Sequence, residues 1–110
     1  MRLPNGDQAI VSIDKLLDYC LNPDHPRGRH KARVFAAALG ITATEAEQLR
    51  SALFAAAVTG EAAASEADDY GQRFVLDFEM EGFDGEVTVR SLWIVRRDED
   101  RPRLTSCYVL

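Results

Sequence analysis

The residues of this chain best suited to chemistry stand together in one short segment, His25-Pro26-Arg27-Gly28-Arg29-His30-Lys31. An imidazole is the side chain best matched to proton transfer near neutral pH. A glycine lets backbone N–H groups approach a ligand closely. A lysine in the first turn of a helix adds positive charge where unpaired amides and the helix dipole already favour an anion, and Arg27 and Arg29 strengthen that attraction for phosphate. His25, next to Pro26 in the loop, is the better proton-transfer candidate, whereas His30 lies among arginines and reads as a surface residue. A plainer reading gives His25 and Gly28 only the task of shaping the loop and leaves the basic residues solvated.

Other chemistries find little support. Two histidines without an HExxH, zinc-ribbon or EF-hand spacing make a poor metal site, and no metal or cofactor is expected. No Walker or dinucleotide-type glycine loop occurs, and no GxSxG elbow. Asp77 and Glu79 share one face of a strand by alternation, a pattern that usually just faces water. Thr105-Ser106-Cys107-Tyr108 offers hydroxyls near the end of the chain. Cys20 and Cys107 lie far apart among apolar neighbours and read as two buried thiols, neither a disulfide nor metal ligands.

The elements that must position these residues follow from pattern. The chain has 110 residues, 46% apolar and 28% charged, which suits one globular domain with a single core. No apolar run approaches a membrane span and no signal-peptide core is present, so the cytoplasm is the expected location. The net charge of −5 disfavours a general polyanion binder, but the charge is polarised. Arg27 to Arg33 holds four cations and no acid, while eleven acids between Glu45 and Glu86 face only Arg50 and Arg73. Arg90, Arg96, Arg97, Arg101 and Arg103 form a third, mixed block around Asp98-Glu99-Asp100.

From Ser12, a plausible N-cap, Ile13, Leu16, Leu17, Cys20 and Leu21 follow helical spacing until Asn22-Pro23 stops it. A second helix is expected from about Arg29 to Leu39 with Gly40 as its C-terminal cap. Thr42 and Glu45 make a capping box that opens a third helix ending at Gly60. Glu61 to Asp69, rich in alanine and acid, reads as a linker or frayed helical turn. Beyond Tyr70-Gly71 the period changes to two. Phe74, Leu76, Phe78 and Met80 define one strand; Val87, Val89, Ser91, Trp93 and Val95 a second; Arg103 to Leu110 a last one, possible as an edge that pairs two copies of the chain. The fold class is α+β, three N-terminal helices packed on a three- to four-stranded antiparallel sheet, the fourth member being the short extended piece near Ile10. Trp93 and the alternating phenylalanines are expected on the buried face, with Thr88 and Arg90 on the other.

Several stretches carry a resemblance: Lys15-Leu16-x-x-Tyr19-x-Leu21-Asn22-Pro23-x-His25-Pro26-x-Gly28-x-x-Lys31-Ala32-x-x-Phe35, then Tyr70-Gly71, Val89-Arg90-x-x-Trp93-Ile94-Val95, and Pro102-Arg103-Leu104-x-Ser106-x-Tyr108. The chain resembles an uncharacterised bacterial family, domain of unknown function 6883, found as short free-standing proteins and as the last domain of polymorphic toxins. The start at Met1 reads as that of a free-standing member. Terminal toxin domains are frequently nucleases, and helices followed by a sheet are similar to the small metal-independent ribonucleases that include barnase, colicin E-type and RelE-type toxins. That resemblance implies RNA cleavage by 2′-OH attack. His25 would be general base or acid, Lys31 and Arg90 would stabilise phosphate charge, and Ser106 would hold a phosphate oxygen. Arg27, Gly28, Arg29, Arg103 and Tyr108 would bind RNA. A small antitoxin or immunity protein is the implied partner. The alternative is a non-catalytic protein-binding module of the same fold.

Overall fold

The computed structural model describes residues 1–110 as helical elements followed by an antiparallel four-stranded sheet. A 3-10 turn at Gly6–Gln8 precedes α1, Ile13–Lys15, which continues as a π-helical turn over Leu16–Cys20. Helix α2 is Arg29–Leu39, and α3 is Ala46–Thr59, entered through a 3-10 turn at Ala43–Glu45. The strands are β1 Ala62–Asp68, β2 Gly71–Gly82, β3 Gly85–Arg96 and β4 Arg103–Val109, in the order β1-β2-β3-β4.

The sequence signals for helix ends act as expected. The Ser12 hydroxyl accepts from the Lys15 N–H, Gly40 closes α2 at φ 67°, and the Thr42 N–H and hydroxyl both donate to the Glu45 carboxylate at 2.8 Å. The first helix departs from a regular α period. Leu21 N–H bonds back five residues to Leu16 O at 2.8 Å, and this wider turn leaves Leu17 exposed while Leu16, Cys20 and Leu21 are buried. A π turn changes which side chains share a face, and such turns recur at functional sites.

The sheet core is set by alternation. Phe74, Leu76 and Phe78 on β2 stand opposite Trp93, Ser91 and Val89 on β3, and the helices cover this face. Buried Ser91 satisfies itself and its neighbour, donating to Leu76 O at 2.6 Å and accepting from Trp93 Nε1 at 2.8 Å. Phe35, Leu16, Leu49, Leu53 and Trp93 are among the side chains sealed in one cluster of 20 buried residues. Each large apolar side chain buried there contributes roughly 1.5–3 kcal/mol.

Two features differ from the pattern reading. Glu61 to Asp69 is not a linker or helical turn: Ala62–Asp68 is an edge strand paired with β2, Ala62 opposite Leu76 and Asp68 opposite Gly71. Backbone pairing to β2 decides the conformation here, against the helical preference of alanine. The short piece near Ile10 adds a single parallel bridge to Arg103 and no full strand, so the fourth strand is β1. Between β3 and β4 a bulge at Thr105 shifts the register, so that Leu92 faces Ser106 while Trp93 faces Leu104. The extra residue lets both Leu104 and Cys107 turn into the core despite their odd spacing.

Candidate functional site

Three elements meet at the β4 edge of the sheet: the π turn carrying Tyr19, the first turn of α2 carrying Lys31, and β4 carrying Ser106 and Tyr108. Lys31 Nζ donates to Tyr19 Oη at 2.7 Å and to Ser106 Oγ at 3.4 Å. The same ammonium stands 4.7 Å from the Tyr19 ring centroid and 5.4 Å from that of Tyr108, a cation held between two aromatic rings. An ammonium only donates, so both hydroxyls serve it as acceptors and keep their own O–H free to donate elsewhere. The result is a group of convergent donors suited to an anionic oxygen. Lys31 is half-buried and makes no ion pair, and Ser106 is 8% exposed.

His25 is joined to this group through Tyr19, the two rings meeting edge to face at 4.9 Å. One of its ring nitrogens is already used by the backbone. Nδ1 accepts from the N–H groups of both Arg27 and Gly28 at 3.0 Å, so the imidazole caps the entry to α2 and occupies the amides expected to meet an anion. With Nδ1 engaged as acceptor, the ring hydrogen lies on Nε2, where it can donate a hydrogen bond. His25 in this arrangement ties down the loop that leads into α2. Gly28 is fixed by space, since a Cβ there would come within 2.2 Å of the Tyr19 carbonyl oxygen.

The remaining expected residues are distributed unevenly. Arg90 faces Tyr108 in the β3–β4 register, yet its Nε and Nη2 grip both oxygens of Asp77 at 2.9 and 3.0 Å. This pairing raises the Arg90 guanidinium further above its ordinary value, chiefly through the Asp77 hydrogen bond, and holds the Asp77 carboxyl below its own. Glu79 is likewise engaged, by the Thr88 hydroxyl. Arg103 begins β4 with its guanidinium on Glu99 at 2.8 Å, so it belongs to the β3–β4 turn and not to the Lys31 group. Arg27, Arg29 and His30 are exposed, and neither arginine forms an ion pair. No three His, Cys, Asp or Glu side chains group as a metal site would need.

Tyr19 is the participant that pattern reading passed over. It lies within an apolar helical run, and only the π turn, which no residue spacing announces, brings its hydroxyl to Lys31. The two cysteines are free and buried next to the same group. No helix is long and apolar enough to cross a membrane.

Among known proteins, no curated sequence and no solved structure matches this chain. One family model does, over residues 2–110, which include every element that builds the Lys31 group. The chain therefore belongs to the family described as a domain of unknown function, DUF6883.

Proposed function

We propose that this chain is a small ribonuclease that cleaves RNA by attack of a ribose 2′-OH on the neighbouring phosphodiester. The observation that carries the reading is the Lys31 ammonium joined to the hydroxyls of Tyr19 and Ser106 beside the Tyr108 ring. In the scheme, Lys31 and the two hydroxyls stabilise the charge that grows on the phosphorane oxygens, the usual largest contribution to such catalysis. Lys31 then protonates the departing 5′-oxygen, and water takes the 2′-OH proton. Tyr108 offers a ring on which a base stacks, and His25 holds the loop and presents its Nε2–H. Arg90 contributes only the part of its charge that Asp77 leaves over. Arg27 and Arg29 guide the RNA backbone. Cations at the start of α2, with no acid in its first turn, oppose the helix dipole by about 0.3–1 kcal/mol each, a cost that a bound anion reverses.

The test is cleavage of a single-stranded RNA by the purified chain and by Lys31→Ala and Ser106→Ala, with folding checked by circular dichroism. The native chain should leave 2′,3′-cyclic phosphate ends, and Lys31→Ala should cut roughly 10²–10³-fold more slowly. A folded Lys31→Ala variant as active as the native chain, or a native chain that cuts nothing, removes the reading.

A second reading, a non-catalytic module that binds a small antitoxin or immunity protein, is favoured by a specific observation. None of the three surface hollows is lined by His25, Lys31, Ser106 or Arg90. On that reading the native chain leaves RNA intact and forms a stable complex that Arg27 and Arg29 substitutions weaken.

A further inference from the structure

The two cysteines sit at opposite ends of the sequence but on either side of one contact. Cys20 follows Tyr19 at the end of the π turn and Cys107 follows Ser106 on β4, and Lys31 ties Tyr19 and Ser106 together at 2.7 and 3.4 Å. Behind that tie the π turn packs directly on β4, both thiols are fully buried within the same apolar cluster, and neither is in a disulfide. We propose that Cys20 and Cys107 are an oxidation site, forming a reversible disulfide that staples the first helix to edge strand β4 directly behind the Lys31 group. The proposal stands whether or not the chain cuts RNA.

The two sulfurs are not equivalent. The Cys107 thiol and backbone N–H, with the charges of Lys31 and Lys15, pull the Cys20 thiol below its ordinary value against the effect of burial. Cys107, facing the Cys20 sulfur and itself buried, is held well above. Cys20, at the end of the short first helix, is reached first when that helix opens and is the attacking sulfur; Cys107, held within β4, is the resolving thiol.

The oxidant is a small peroxide. The Cys20 sulfur attacks one peroxide oxygen, the O–O bond breaks, and hydroxide leaves and takes up a proton, giving a sulfenic acid. The Cys107 sulfur then attacks Cys20 sulfur, the S–O bond breaks, and the hydroxyl departs with the Cys107 proton as water. Two thiols and one peroxide become one disulfide and two waters, a two-electron oxidation that a dithiol reductant reverses. Burial admits a peroxide during local opening of the short first helix and excludes bulky disulfides.

The test treats the full native chain with hydrogen peroxide, followed by alkylation under denaturing conditions, intact mass measurement and non-reducing peptide mapping. The expected product is a monomer lighter by two hydrogens, with the Cys20 peptide joined to the Cys107 peptide and both thiols lost to alkylation, all restored by dithiothreitol. Closing so long a loop should raise Tm by roughly 10 °C. In Cys107→Ser, oxidation should stop at a sulfenic acid on Cys20 that dimedone captures. Oxygen adducts on the native chain without a cross-link, a cross-link between chains, or two thiols still open to alkylation would each overturn the proposal; mapping of the native chain decides it even if the variant does not fold.

Discussion

His25 carries two separable functions in one ring: an acceptor at Nδ1 that ties down the Arg27 and Gly28 amides, and a donor at Nε2. An asparagine places a carbonyl oxygen near the position of Nδ1 and is itself a favoured cap, but it lacks the distal N–H. His25→Ala should therefore cost about 1–2 kcal/mol of stability, the usual price of losing a helix cap, while His25→Asn should recover most of it. Urea unfolding of the two variants reads this directly. If both are equally destabilised, the capping role is wrong. If His25→Asn is stable but loses RNA cleavage as fully as His25→Ala, the Nε2–H acts on substrate; if it keeps activity, His25 works through the loop alone. Sequence reasoning could name His25 and Lys31, because loop residues beside a basic helix start stand out. It could not see that one ring nitrogen is already used by the backbone, nor that Asp77 claims most of Arg90, since both depend on geometry set by other elements.

At the scale of elements, the capping signals and the period of two read the second helix and strands β2, β3 and β4 almost to the residue. Gly40, the Thr42 and Glu45 pair and the Phe74-to-Met80 alternation are all local signals that tertiary packing reinforces. Two elements escaped for physical reasons. Strand β1 has little apolar content to alternate, because an exposed edge strand is held by backbone bonds to β2 and not by its side chains. The π turn inserts one residue into an otherwise regular period, exposing Leu17 and redirecting Tyr19. The seam between that turn and α2 is drawn tight by Gly28, whose φ of −92° any residue could adopt, so only space forbids a side chain. Gly28→Ala should push the two elements apart and destabilise the protein by about 1–3 kcal/mol, as overpacking does. It should also lengthen the Lys31–Tyr19 contact, which the chemical shift of the Tyr19 ring would report. A variant as stable as the native protein with an unmoved Tyr19 resonance would show that the seam has slack.

Over the whole molecule, charge is segregated. Cations gather on the first turn of α2 and along β3 and β4, while acids dominate the region from Glu45 to Glu86. Most acids with a specific partner are held below their ordinary values: Glu45 by the Thr42 N–H and hydroxyl, Asp68 by Arg73 and the Tyr70 and Gly71 amides, Asp77 by Arg90, and Glu99 by Arg103. A carboxyl group that is easier to ionise in the folded state than in the unfolded one stabilises the fold when ionised. That stabilisation is fully present above the unfolded values, ordinarily 3.8 for aspartate and 4.5 for glutamate, and disappears as pH falls through the lower folded values. Arg73, Arg90 and Arg103 are only half-buried and still reached by solvent, so each contribution is small and screened by salt. The urea midpoint should accordingly stay nearly level from neutral pH down to about pH 5 and then fall steadily with further acidification. The combined variant Asp68→Asn, Asp77→Asn, Glu99→Gln should start from a lower plateau and lose less on acidification, because three of the groups responsible no longer titrate. A triple variant whose acid profile falls as steeply as the native one would place the acid-sensitive interactions elsewhere than in these cross-strand and turn pairs.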